Sequence, residues 1–70
     1  MTGRTIRING EDRRLDAATV IELLRSEGLD PERRGLAVAL NGAVVRRPDW
    51  PSAALSPGDE VEIVKPVSGG

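Results

Sequence analysis

The sequence predicts an α+β fold, a mixed sheet of about five strands packed on one main helix. Three observations carry this expectation. Two Asn-Gly pairs, Asn9-Gly10 and Asn41-Gly42, each follow a strand-like segment, the alternating Ile6-Arg7-Ile8 and the apolar Leu36 to Leu40. One stretch, from Thr19 to Gly28, has helix start and stop signals with apolar residues at helical spacing. A last apolar alternation, Val61-Glu62-Ile63-Val64, follows the turn signal Pro57-Gly58-Asp59.

At the start of the chain Ile6 and Ile8 alternate with Arg7 and Asn9, and Asn-Gly tolerates the positive φ that a hairpin turn needs. Strands are expected near Thr5 to Asn9 and Arg13 to Asp16; a loop that includes Glu11 and Asp12 is longer than the tightest two-residue form, which leaves the turn class open. Thr19-x-x-Glu22 fits a capping box: the hydroxyl accepts from an early backbone N–H, and the carboxylate reaches back to one exposed at the helix start. Val20, Leu23 and Leu24 then share one helix face, Gly28 marks the end, and Leu29 closes over it. Asp30-Pro31 is a turn, because proline disfavours helical backbone in the residue before it.

Leu36-Ala37-Val38-Ala39-Leu40 is apolar at every position, and Asn41-Gly42 turns it into Val44 and Val45 as a second hairpin. If Val38 and Leu40 face the core, Ala37 and Ala39 offer small side chains on the opposite side, where either a partner or the chain itself can cover them. Arg47-Pro48-Asp49-Trp50-Pro51 is broken twice by proline, so Trp50 is expected in an irregular segment laid over an edge of the core. In the final strand Val61 and Ile63 point inward, Glu62 and Val64 outward, and Pro66 ends it. The order is ββαββ plus one more strand. A closing strand placed centrally and parallel to the first, with the helix crossing one face, gives a β-grasp arrangement.

Composition narrows the function. Seventy residues make one domain, expected over residues 1–66, with a flexible C-terminal tail over 67–70. The chain has no cysteine and no histidine, so it lacks a thiol nucleophile, an imidazole base and the usual transition-metal ligands. That argues against independent enzyme chemistry and against any metal site, and it leaves packing alone to stabilise an aliphatic core. The net charge of -1 is spread over interleaved acids and bases. With no Phe or Tyr for base stacking, the pairs Arg13-Arg14, Arg33-Arg34 and Arg46-Arg47 read as solvated surface rather than a nucleic-acid footprint. The apolar runs are far too short to cross a bilayer or to act as a secretory signal, so the cytoplasm is the expected location.

The most chemically pointed feature is Gly69-Gly70. Glycine has no Cβ and can thread a narrow channel, so the Gly70 carboxylate is the expected reactive group and Gly69 the residue that passes it through. Two glycines taken alone are equally consistent with an inert end.

The segments Ile6-x-Ile8-Asn9-Gly10, Thr19-Val20-x-Glu22-Leu23-Leu24, Val38-Ala39-Leu40-Asn41-Gly42, Gly58-Asp59-x-Val61-Glu62-Ile63-Val64 and Gly69-Gly70 together resemble the bacterial thiamine-biosynthesis sulfur carrier family, ThiS. Each is common alone, but their order and spacing are specific, and the resemblance spans nearly the whole chain. Trp50 after Arg46-Arg47-Pro48-Asp49 is similar to the family's segment before its final strand. One departure is the tail, Pro66-Val67-Ser68-Gly69-Gly70, where many members carry more glycine before the last pair.

The resemblance implies a ubiquitin-like β-grasp body and a protein co-substrate rather than an enzyme. It implies that the Gly70 carboxylate is adenylated by an ATP-using enzyme of the ThiF type, converted to a thiocarboxylate with sulfur from a donor protein, and used by thiazole synthase. ATP and magnesium then belong to the partner, and this chain binds no cofactor. Ala37, Ala39 and Val64 are expected to form part of the docking face, since all three point away from the core residues beside them. Three other roles share the diglycine end: the small subunit of molybdopterin synthase, other thiocarboxylate carriers such as those for transfer-RNA thiolation, and ubiquitin-like protein modifiers. A plain interaction domain with an inert tail is the alternative from a different class.

Overall fold

The computed structural model describes residues 3–66. The expected tail over 67–70, with Gly69 and Gly70, lies outside the described residues.

The first hairpin pairs β1 (Arg4–Ile8) with β2 (Glu11–Leu15) through a two-residue turn, with Ile8 opposite Glu11 and Arg7 opposite Asp12. Glu11 and Asp12 therefore belong to the strand and not to a longer loop. Asn9 takes φ of 50°. Positive φ at both turn positions gives a backbone twist that matches the strands on either side, so the shortest closure wins. β2 is exposed along Glu11 to Arg14, and only Leu15 packs against the core. Charged side chains along an edge strand discourage pairing with another chain.

Helix α1 (Val20–Ser26) has the predicted cap. Thr19 Oγ1 accepts from Glu22 N at 3.3 Å, and the Glu22 carboxylate reaches one residue beyond Thr19 to accept from Ala18 N at 2.8 Å. Its end is a Schellman motif: Gly28 at φ 78° lets Leu29 N donate to Leu24 O at 2.9 Å and Gly28 N to Arg25 O at 3.0 Å. Seven residues are too few to hold a helix alone in water, so packing decides its stability. Val20, Leu23 and Leu24 are all fully buried.

The second hairpin pairs β3 (Ala37–Leu40) with β4 (Ala43–Val45), and Asn41 repeats the turn geometry with φ 51°. β5 (Glu60–Val64) enters between the two hairpins, giving the order β2-β1-β5-β3-β4. It runs parallel to β1 and antiparallel to β3, the central placement that the β-grasp reading requires. Ile6, Ile8, Val38, Val61 and Ile63 line the face that joins α1 in one core, leaving the other face of the sheet open.

Trp50 corrects the sequence reading. It is the largest fully buried side chain, 2% exposed, and not a cover over an edge, so the core is aliphatic except at this one position. Its segment is also regular. Arg47–Asp49 forms a 3-10 turn with Pro48 near its start, where a missing N–H costs nothing. Trp50 Nε1 donates to Val45 O at 2.9 Å, which answers the polar end of the buried ring. Arg47 is also more than solvated surface. Its guanidinium stacks 4.5 Å from the Trp50 ring centroid and donates to Pro31 O and, at 2.7 Å, to Arg33 O. That fork fastens the loop before β3 to the segment that follows β4. Arg13 has a partner as well, Glu27, at 3.2 Å.

Candidate functional site

β5 ends at Val64, six residues before Gly70, so whatever fixes β5 fixes the base of the tail. Both hairpin-turn asparagines do this. Beyond the end of β1, Asn9 Oδ1 accepts from Ile63 N at 2.8 Å and Asn9 Nδ2 donates to Ile63 O at 3.2 Å. The side-chain amide thus continues the parallel ladder after the backbone has turned away. At the other end of β5, Asn41 Oδ1 accepts from Glu60 N at 2.9 Å and Asn41 Nδ2 donates to Asp59 Oδ1 at 3.1 Å. The sequence marked both residues as turn formers only. Nothing local shows that a turn amide reaches a strand 54 residues away.

The open face of the sheet divides in two. Over β1 and β2 it is polar, with Arg7 paired to Asp12 at 3.4 Å and Glu60 beside Arg7 in the register. Over β3, β4 and β5 it is apolar. Ala37 lies opposite Val64, and Ala39 lies between Glu62 on one side and Val44 on the other. Together with Val38 these residues line a shallow depression of about 170 Å³. Val44 and Val64 are the exposed large hydrophobic side chains, at 78% and 62%. The structure therefore brings together Ala37, Ala39 and Val64, the three residues expected from strand phase, and shows that α1 does not cover them. It adds Val44 and Glu62. Val44 was legible: a two-residue turn puts it opposite Ala39, and Val45, its neighbour, packs against the core.

Among the described residues no group of His, Cys, Asp or Glu is placed to hold a metal ion, and no helix is long and apolar enough to cross a membrane.

A mixed five-stranded sheet clasping one helix, with the last strand at its centre, defines a ubiquitin-like β-grasp protein. The family description "ThiS family" matches residues 6–70. The sulfur carrier protein ThiS of Thermus thermophilus is 38% identical over 63 residues, covering 90% of this chain and 95% of that protein. The crystal structure of the thiamine biosynthesis protein ThiS from Geobacter metallireducens superposes with a TM-score of 0.75 at 29% identity, over 94% of this chain and 99% of that one. Thiazole synthases of Paramagnetospirillum magneticum and Magnetococcus marinus match at 36% and 38% identity, over 90% and 93% of this chain. This chain spans about a fifth of their length, 19% and 20%. The chain belongs to the ThiS family.

Proposed function

We infer that this chain is the sulfur carrier of thiamine biosynthesis and that the Gly70 carboxylate is its working group. The observation that supports this reading is the family match, which runs through residue 70 and so includes Gly69 and Gly70.

A carboxylate is a poor electrophile, so it must be activated before sulfur can replace oxygen. A ThiF-type enzyme joins the Gly70 carboxylate to AMP from ATP and releases pyrophosphate, with magnesium held on the enzyme. A persulfide on a donor protein then attacks the acyl carbon and AMP leaves. A thiol, supplied by the donor or enzyme and acting as the two-electron reductant, attacks the donor-side sulfur of the resulting acyl disulfide, which releases the thiocarboxylate and leaves a disulfide behind. This chain supplies the acyl group and the surface that presents it. It has no cysteine, so the carried sulfur has its place at the C-terminus and not on a side chain.

Thiazole synthase is the proposed acceptor, supported by the thiazole synthases that contain a region similar to this chain. The apolar patch of Ala37, Ala39, Val44 and Val64 is the proposed docking face for the adenylating enzyme, and the cytoplasm is the proposed location of the exchange. The experiment incubates the protein with ATP, Mg²⁺, the cognate adenylating enzyme and a sulfur source, and follows the intact mass. Replacement of one oxygen by sulfur, lost when Gly69 and Gly70 are removed, is the expected result. A mass that never changes while the enzyme modifies another carrier overturns the reading.

A further inference from the structure

The last described residue before the tail is Pro66, and it leans on a glycine. A Cβ at position 35 would stand 3.0 Å from Pro66 Cβ, 3.7 Å from Cγ and 3.8 Å from Cα. Few real Cβ contacts are that tight, so a side chain at position 35 would push Pro66 from its place by a few tenths of an ångström. Gly35 also has φ of 83°, a left-handed conformation that other residues adopt at a cost. The loop carrying it is itself held firmly. Asp30 Oδ1 accepts from Glu32 N at 2.9 Å, Asp30 O accepts from Arg33 N at 3.0 Å, and Arg47 grips the carbonyls of Pro31 and Arg33 while stacking on Trp50. The loop is therefore pinned to the buried Trp50 on one side and bears against Pro66 on the other.

We propose that Gly35 is a positioning residue for sulfur transfer: with its loop braced by Arg47, it forms the seat for Pro66 that sets where the C-terminal tail leaves the body. The inference rests on the carrier reading above. Val64 is fixed by its pairing with Ala37, and Ile63 by Asn9, but the two residues that follow lie beyond the sheet ladder. A contact at Pro66 carries the fixed geometry two residues further towards Gly70. An acyl group delivered into an active site gains rate from being held near its reacting partner, and a displacement of about 1 Å there can cost on the order of a hundredfold. The seat acts on the productive placement of the tail and leaves the sheet face used for docking unchanged, so its effect belongs in turnover rather than in affinity.

The test compares wild type with Gly35→Ala, Gly42→Ala, Pro66→Gly and the double variant Gly35→Ala/Pro66→Gly. Gly42 has nearly the same φ, 85°, but a Cβ there would meet nothing within 4 Å, so its substitution measures backbone strain alone. Thiocarboxylate formation is followed by mass, affinity for the adenylating enzyme by calorimetry and folding by thermal melting. The expected result is a fall in kcat of about tenfold for Gly35→Ala beyond that of Gly42→Ala, with KM and affinity held, and no further fall when Gly35→Ala is added to Pro66→Gly. Equal rates for Gly35→Ala and Gly42→Ala, or an equal loss with and without the proline, overturn the inference.

Two measurements stand if Gly35→Ala fails to fold. Wild type should show a strong nuclear Overhauser effect between the Gly35 α-protons and the Pro66 β-protons, and Pro66→Gly alone should lower kcat. Absence of the first or an unchanged second overturns the seat. A wild type that reacts while these variants react equally well removes this inference only, whereas a wild type that forms no thiocarboxylate removes the carrier reading beneath it.

Discussion

Asn9 holds Ile63 by both ends of its side-chain amide, accepting from the backbone N–H at 2.8 Å and donating to the carbonyl at 3.2 Å across 54 residues of sequence. The same residue makes the first hairpin turn with φ of 50°. One position thus closes a local turn and continues the sheet along the strand that leads to the tail.

The Asn9→Gly variant separates these two roles, since glycine accepts the turn geometry but brings no amide. Loss of the paired hydrogen bonds leaves the Ile63 backbone unanswered on its β1 side, and the expected cost is about 1–3 kcal/mol in urea unfolding. Aspartate at the same position restores only the acceptor and should fall between. Equal stability of Asn9→Gly and wild type would show that water replaces the amide without loss.

Substituting Val64→Asp tests the docking face. Val64 is 62% exposed in the free protein, so a carboxylate there is solvated and the melting temperature should hardly move. Bound against an apolar surface, the same charge loses its water, and affinity for the adenylating enzyme should drop by about tenfold or more. Val44→Asp, at the other side of the patch, should act in the same direction. Unchanged affinity in both variants would move the interface elsewhere.

With Gly70→Ala the fold should remain, because the core lies within residues 6–63, and the yield of thiocarboxylate should fall as a methyl group crowds the path into the partner. Intact mass measures both the product and the unreacted chain. Equal yield would argue that the path is wide at its end.

Trp50→Ala removes the largest buried side chain and the hydrogen bond to Val45 O. Such truncations cost about 3–5 kcal/mol, close to the whole stability of a domain this small. Circular dichroism should show a chain largely unfolded at 37 °C, whereas Trp50→Phe, which keeps most of the volume, should stay folded with a lowered melting temperature. A stable Trp50→Ala variant would mean that the core closes over the space.

Where the chemistry is local, the sequence was explicit. Thr19 and Glu22 lie three residues apart and announce the cap. Gly28 announces the helix end, and each Asn-Gly pair turns its hairpin where expected. The outward phase of Ala37, Ala39 and Val64 follows from the alternation of a strand, and the inward Val61 and Ile63 suit β5 to the central place beside β1. The length of the first turn stayed open in the sequence, with the second strand expected only from Arg13. Pairing to β1 starts that strand at Glu11.

By itself, then, the chain's sequence determined the elements and their order, because caps, turns and alternation are decided among residues a few positions apart. Tertiary structure decided what distant residues do for one another. It buried Trp50, gave the Arg47 fork its two carbonyls, turned Asn9 and Asn41 into clamps on β5 and set Pro66 against Gly35. Those outcomes depend on which surfaces meet when the strands close on the helix. Contacts between residues far apart in the chain are fixed only when the whole core is assembled.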